Sequence, residues 1–228
     1  MLSEKTINSK KCFIHENSTC DSFLIQPIDI HESEMLSKEA ELIKKLSPNK
    51  PFTLIAFCID DWNTELSPWE SPAVFGSEPF GSDAPKTLSF ITDYLLPELN
   101  DIYPSSRKKH FYLGGYSLAG LFALWSAYQT DIFHGIAAVS PSVWFPGWKD
   151  YIASHIIHTP QVYLSLGKKE ERARNKLMSA VGDSIRFQHE LLSKESKVKR
   201  CTLEWNDGNH FADPELRTAK GFAWLLNR

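Results

Sequence analysis

A chain of 228 residues, 42% hydrophobic and 23% charged, has the size and balance of a globular domain with a real core. Its net charge of −3 provides no general attraction for nucleic acid or an anionic membrane. The polar stretch Met1 to Lys11 lacks the apolar centre of a secretion signal, and no apolar run approaches the roughly 20 residues of a membrane span. A cytoplasmic location is the expectation. The four cysteines (Cys12, Cys20, Cys58, Cys201) form no C-x-x-C pair, so free thiols are expected rather than a disulfide framework.

In chain order, residues 1–20 read as irregular and polar, with one edge strand near Cys12-Phe13-Ile14. Phe23-Leu24-Ile25 reads as a short strand stopped by Pro27. Ser33 to Leu46 carries a helical apolar stripe, with Ser33 as candidate N-cap and Pro48 beyond its end. Phe52 to Ile59 is a continuous apolar run, the mark of a strand buried on both faces. Residues 60–84 lack periodicity; a loop of that length is functional or disordered, and its aromatics (Trp62, Trp69, Phe75, Phe80) favour order. Leu88 to Ile102 keeps helical spacing, with a kink or break expected at Pro97.

Next comes Phe111-Tyr112-Leu113-Gly114-Gly115-Tyr116-Ser117-Leu118-Ala119-Gly120-Leu121. A short apolar run ends in two glycines, one serine follows, and an apolar helical pattern begins. That order describes a nucleophile elbow, a serine on a sharp strand-to-helix turn. The usual G-x-S-x-G pattern is broken at Ala119. The remainder reads as a helix to about Thr130, a strand near Ile136–Val139, the loop Ser140-Pro141-Ser142-Val143-Trp144, and a weak helix over Trp148–Ile157. A strand at Gln161–Leu166 follows, then a helix over Asn175–Ser193 interrupted at Gly182, a strand at Cys201–Trp205 and a closing helix, Asp213–Leu226. Strands alternating with helices call for a largely parallel sheet covered on both faces. With no repeat or linker, residues 1–228 are expected to form one domain.

A serine needs a base, and the base needs an acid. His210 is the one histidine after Ser117 that closely follows a strong strand and precedes a helix, with Gly208 allowing a tight turn. Acid candidates are Glu170 and its neighbour Glu171 after the strand Gln161–Leu166, with Asp207 third. The order serine, acid, histidine is that of α/β hydrolases. Leu118, the residue after the serine, would supply one oxyanion-hole N–H. Asp29 or Ile30, in the loop after the first core strand, would supply the other. Trp62 and Trp144 follow predicted strands and are candidates for the substrate pocket.

Gly115-Tyr116-Ser117-Leu118-Ala119-Gly120-Leu121, Phe133, Ser140-Pro141-Ser142-Val143-Trp144 and Gly208-Asn209-His210-Phe211 together resemble the putative-esterase branch of the α/β hydrolases. That branch includes enterochelin-esterase-like and esterase D-like proteins. The resemblance runs from about Phe23 to Leu226. It implies an α/β-hydrolase fold, a mostly parallel central sheet flanked by helices on both faces. It implies Ser117 as nucleophile, His210 as base and an acid at Glu170 or Glu171, although some members work with a serine–histidine pair alone. Many siderophore-hydrolysing relatives carry an arginine after the strand equivalent to Phe52–Ile59. Here Asp60-Asp61-Trp62-Asn63 stands there, which favours a small or medium uncharged ester over an anionic siderophore. The expectation is a serine esterase acting on a small-molecule ester, with no metal or organic cofactor. Oligomeric state is left open. The alternatives are thioesterase, peptidase or acyltransferase chemistry on the same residues, or a non-catalytic binding scaffold.

Overall fold

The computed structural model describes residues 2–16, 20–74, 76–104 and 108–227. In chain order the elements are β1 (Leu2–Ile7), β2 (Lys10–His15), β3 (Ser22–Ile28), a 3-10 turn (Ile30–Met35), α1 (Leu36–Leu46), β4 (Thr53–Cys58) and α2 (Trp62–Glu65). Then come α3 (Ala84–Phe90), a π-helical turn (Ile91–Leu95), α4 (Leu96–Ile102), β5 (His110–Tyr116), α5 (Leu118–Gln129) and β6 (Phe133–Val139). The chain ends with α6 (Trp148–Ser154), β7 (Gln161–Gly167), α7 (Lys176–Ser179), α8 (Val181–Lys194), β8 (Arg200–Asn206) and α9 (Pro214–Leu226).

Among the described residues, eight strands form one sheet in the order β1-β2-β4-β3-β5-β6-β7-β8. β1 pairs antiparallel with β2, and β2 with β4. All other pairings are parallel. Parallel strands need crossover connections, and the helices that make them cover the sheet. β4 shows the result residue by residue. Leu54 and Ala56 pack with Leu36, Ile43 and Phe222 of α1 and α9 on one face. Ile55 and Phe57 pack with Phe90, Leu95 and Leu121 on the other. Each large buried side chain of this kind, such as Leu54, Ile55 or Phe57, contributes about 1.5–3 kcal/mol, so both faces are fixed and a one-residue slip would exchange the two cores.

Several local expectations are corrected. Residues 2–15 are a two-stranded hairpin rather than an irregular segment with one edge strand. Asn8 and Ser9 take positive φ (41° and 68°), the backbone that a tight two-residue hairpin turn requires. β3 runs through Pro27 to Ile28; its pairing with β5 ends at Ile25, so the missing N–H falls where β3 has one bonded neighbour. The first helix is not capped by Ser33. Asp29 starts a 3-10 turn instead, bonding the His31 N–H while Glu32 Oε2 accepts from the Asp29 N–H, a capping box.

Pro97 sits near the start of α4, and the π-helical turn before it is the predicted interruption. The break between α7 and α8 comes at Ala180, and Gly182 lies inside α8. The described part of 60–84, residues 60–74 and 76–84, is ordered by α2, a bridge between Ser71 and Phe80, and the Trp69 indole, which donates to the Pro146 carbonyl at 2.9 Å. Phe75 lies outside the described residues.

One buried acid belongs to the scaffold. Glu39, 6% exposed on the sheet side of α1, accepts from the Gln26 amide at 3.0 and 3.2 Å. Burial pushes its carboxyl up to about 8 against the Gln26 bond. The folded protein therefore keeps a proton that the unfolded chain releases near 4.5, and stability should fall as pH rises between those values. Urea unfolding at pH 5 and pH 9 checks this: Glu39→Gln should lose less stability across that interval than the wild type, by on the order of 1 kcal/mol or more.

Candidate active site

Parallel strands share a carboxyl edge, and the loops leaving β5, β6, β7 and β8 stand side by side along it. Ser117 follows β5 directly, at φ 58° and ψ −121°. A non-glycine residue persists there only when its surroundings over-determine it. The Ser117 N–H donates to Val139 O at 3.0 Å, and its carbonyl accepts from Leu121 N–H at 3.1 Å and Ser142 N–H at 3.0 Å. Gly115 explains the departure at Ala119. A Cβ on Gly115 would lie 2.6 Å from the Ala119 carbonyl carbon and 2.7 Å from its methyl. The room usually supplied by a glycine at 119 is supplied one strand residue before Tyr116.

The hydroxyl of Ser117 lies 3.1 Å from His210 Nε2. His210 Nδ1 lies 2.7 Å from Glu170 Oε2. Glu171 turns away to Arg186 at 2.7 Å, and the exposed Asp207 pairs with Lys168 at 2.7 Å. Of the three acid candidates, only Glu170 contacts the imidazole. Gly208, at φ 94°, makes the tight turn before His210, and a Cβ there would meet Ala212 at 2.5 Å.

Glu170 is 7% exposed, and its second oxygen is fully engaged. Oε1 accepts from the Gly167 N–H at 2.7 Å, the Ser140 hydroxyl at 2.8 Å and Arg217 Nη1 at 3.2 Å. Burial alone would raise this carboxyl. The His210 bond and charge, with the Ser140 and Gly167 bonds, outweigh it and hold the group below the usual carboxylate range. A hydroxyl, an imidazole and an ionised carboxylate in this series can pass a proton from oxygen to nitrogen while the carboxylate stabilises the cation formed.

Ser117, Leu118 and His210 open onto a cavity of about 740 Å³. Trp62 and Trp144 both line it, with Phe80, Met178 and Val181 making the wall largely apolar and Lys169 and Arg172 bringing two cations to it. The other two oxyanion candidates do not reach it. The Asp29 N–H already donates to Glu32 Oε2 at 2.8 Å, and Ile30 is 42% exposed in the 3-10 turn. The segment after β4 borders the cavity instead, through Trp62 and Asn63. Physically, the capping box that starts the 3-10 turn consumes the N–H that the sequence offers.

Four further residues meet here to which the sequence reading gives no role: Tyr116, Ser140 and Ser142 stand only within the motifs of the family resemblance, and Arg217 has no signal. The Ser142 hydroxyl lies 3.4 Å from that of Ser117. Ser140, at φ 43°, bonds Glu170. The Tyr116 hydroxyl donates to the His210 carbonyl at 2.6 Å. Arg217, 2% exposed on α9, reaches Glu170. An arginine is seldom fully buried unless paired, and the pairing is invisible before folding.

The family model described as Putative esterase matches residues 52–206. No curated protein matches. Among solved structures, the IroE-like serine hydrolase from Shewanella oneidensis is similar over 100% of this chain and 80% of its own, at 13% identity and TM-score 0.81. The siderophore hydrolase EstA from Aspergillus nidulans is similar over 100% of this chain and 94% of its own, at 16% identity and TM-score 0.75. The enterobactin esterase FES from Shigella flexneri is similar over 100% of this chain and 59% of its own, at 14% identity and TM-score 0.66. These likenesses establish the α/β-hydrolase fold, and the family match, with a serine at the strained turn after β5, establishes that the chain belongs to the Putative esterase family of ester-hydrolysing enzymes.

Proposed function

We propose that this enzyme is a carboxylesterase-type serine hydrolase working through an acyl-enzyme on Ser117. The observation that carries the reading is the Ser117–His210–Glu170 series, with both hydrogen bonds at 3.1 Å or less. His210 Nε2 takes the hydroxyl proton as Ser117 Oγ attacks the ester carbonyl. The tetrahedral oxyanion is held by backbone N–H groups. Leu118, first in α5, gives one. The Trp62–Asn63 segment gives the second: the N–H groups of Asp60 and Asp61 bond Glu65 and that of Thr64 bonds Asp61, whereas the Trp62 and Asn63 N–H groups, both at the cavity, have no acceptor among the described hydrogen bonds. On collapse the alcohol leaves with the proton from His210. Water, deprotonated by His210, then attacks the acyl carbonyl and releases the acid and Ser117.

The apolar wall of Trp62, Phe80, Trp144 and Met178 suits an ester with an apolar body of small or medium size. Lys169 and Arg172 support a second reading, an ester that also bears negative charge, as the siderophore hydrolases among the similar structures would suggest. These cations come from the loop after β7, not from the segment after β4 where Asp60 and Asp61 stand. A panel of neutral p-nitrophenyl esters, carboxylate-bearing esters and acyl thioesters separates the readings by kcat/KM.

A fluorophosphonate probe should label the wild type and leave Ser117→Ala unlabelled; equal labelling of both would remove Ser117 as nucleophile. His210→Ala should lower kcat by about a thousandfold or more while thermal melting stays cooperative, because such residues act as a unit. A loss of only a few-fold would remove it as the base. Glu170→Gln should cost far more activity than Glu171→Gln, since Glu171 is engaged only in a surface ion pair with Arg186. Comparable turnover in the two variants would mean that no acid is needed.

A further inference from the structure

Five hydrogen bonds leave the guanidinium of Arg217, and every one ends on a residue of the proposed machinery or of the loops that present it. Nη1 donates to Glu170 Oε1 at 3.2 Å, to the Ser140 hydroxyl at 3.2 Å and to the Tyr116 hydroxyl at 3.1 Å. Nη2 donates to the carbonyls of Asp207 at 2.7 Å and Asn209 at 3.0 Å. The next carbonyl, that of His210, is held by the Tyr116 hydroxyl at 2.6 Å. Arg217 thus grips the acid on one side and both flanks of the histidine turn on the other. Its own anchor is α9, whose buried face packs on the sheet through Ala219, Phe222 and Leu225.

We propose that Arg217 is a positioning residue for the hydrolytic reaction, fixing Glu170 and the loop of His210 in one frame. The inference rests on the serine-esterase reading above. A planar guanidinium reaches a carboxylate and two carbonyls at once, which an ammonium does not. The loops of Glu170 and His210 leave separate strands, β7 and β8; the other described ties between them here are the backbone bonds from Lys168 N–H to the Asn206 carbonyl at 2.9 Å and from Lys169 N–H to the Gly208 carbonyl at 3.0 Å, and the exposed Lys168–Asp207 pair, none of which reaches the Glu170 carboxylate. An error of about 1 Å between acid and base costs roughly a hundredfold in rate, so a shared tether has kinetic consequences.

Charge gives a readout that packing alone does not. Around His210 stand Glu170 on Nδ1, Arg217 behind Glu170, the Tyr116 ring at 5.2 Å, Lys169 and Arg172 across the cavity, and Asp207 paired with Lys168. Removing the Arg217 cation leaves the Glu170 carboxylate less neutralised. The imidazolium is then favoured, and the acid limb of kcat/KM moves to higher pH.

The experiment compares wild type, Arg217→Lys and Arg217→Met with p-nitrophenyl butyrate from pH 5 to 9, normalising kcat to sites labelled by a fluorophosphonate. Arg217→Met should lose about a hundredfold in kcat per labelled site with KM within about threefold, and its acid limb should rise by about half a pH unit or more. Arg217→Lys, which keeps the charge and loses the fork, should lose about tenfold with the limb near its wild-type position. Wild-type kcat per labelled site in a folded Arg217→Met, or an acid limb that stays or moves down, overturns the proposal. Where Arg217→Met does not fold, Arg217→Lys decides: a tenfold loss in kcat at constant KM supports the tether, and full kcat overturns it. Loss of all fluorophosphonate labelling and turnover in Ser117→Ala establishes the underlying reading separately; turnover retained there would sink that reading whatever Arg217 does.

Discussion

A buried carboxylate has to be satisfied on both oxygens, and the rim of this sheet is arranged around that requirement. An ionised acid removed from water without partners would cost far more than the marginal stability of a domain. Glu170 meets the condition with the imidazole on one oxygen and a backbone N–H, a hydroxyl and a guanidinium on the other. Those partners come from the ends of β6, β7 and β8 and from α9. One small charge therefore draws four elements to a single point, and the histidine turn is fixed as a consequence.

The same rim depends on strain being held in place. Ser117 and Ser140 both adopt positive φ, each at the end of a parallel strand. Hydrogen bonds donated to the neighbouring strand hold both: Ser117 N–H to Val139 O, and Ser140 N–H to Ser165 O at 2.9 Å. Neighbouring strands share their direction, so each strand end can brace the turn beside it. Ser117, Ser140, Glu170 and His210 accordingly occupy successive places after β5, β6, β7 and β8.

Much of this was legible before folding. Alternating apolar strands and amphipathic helices specified a covered, mostly parallel sheet. The small residues around Ser117 marked a sharp turn, and chain order separated Ser117, Glu170 and His210 onto different strand ends. Errors arose where local chemistry has two solutions. Asp29 read as an oxyanion donor, but with Glu32 three residues on it closes a capping box, and the N–H is spent inside the chain. Ala119 read as a defect in the elbow, but Gly115 clears the volume its methyl occupies. Lys169 and Arg172 had no role in the sequence reading, yet both line the cavity, while their neighbours Lys168 and Glu171 pair elsewhere, with Asp207 and Arg186.

What the linear chain determined is everything governed by near neighbours and periodicity: which segments pair, which faces are apolar, where the backbone must turn sharply, and the order in which the reactive side chains appear. What only the folded molecule decided is everything set by the approach of distant segments: which of two adjacent glutamates meets the imidazole, which loop borders the cavity, and why an arginine on the last helix is buried. The division has a physical cause. Propensity and pattern act over a few residues, whereas a hydrogen bond such as that from Arg217 to Tyr116 joins residues 101 positions apart and exists only once the sheet between them has formed.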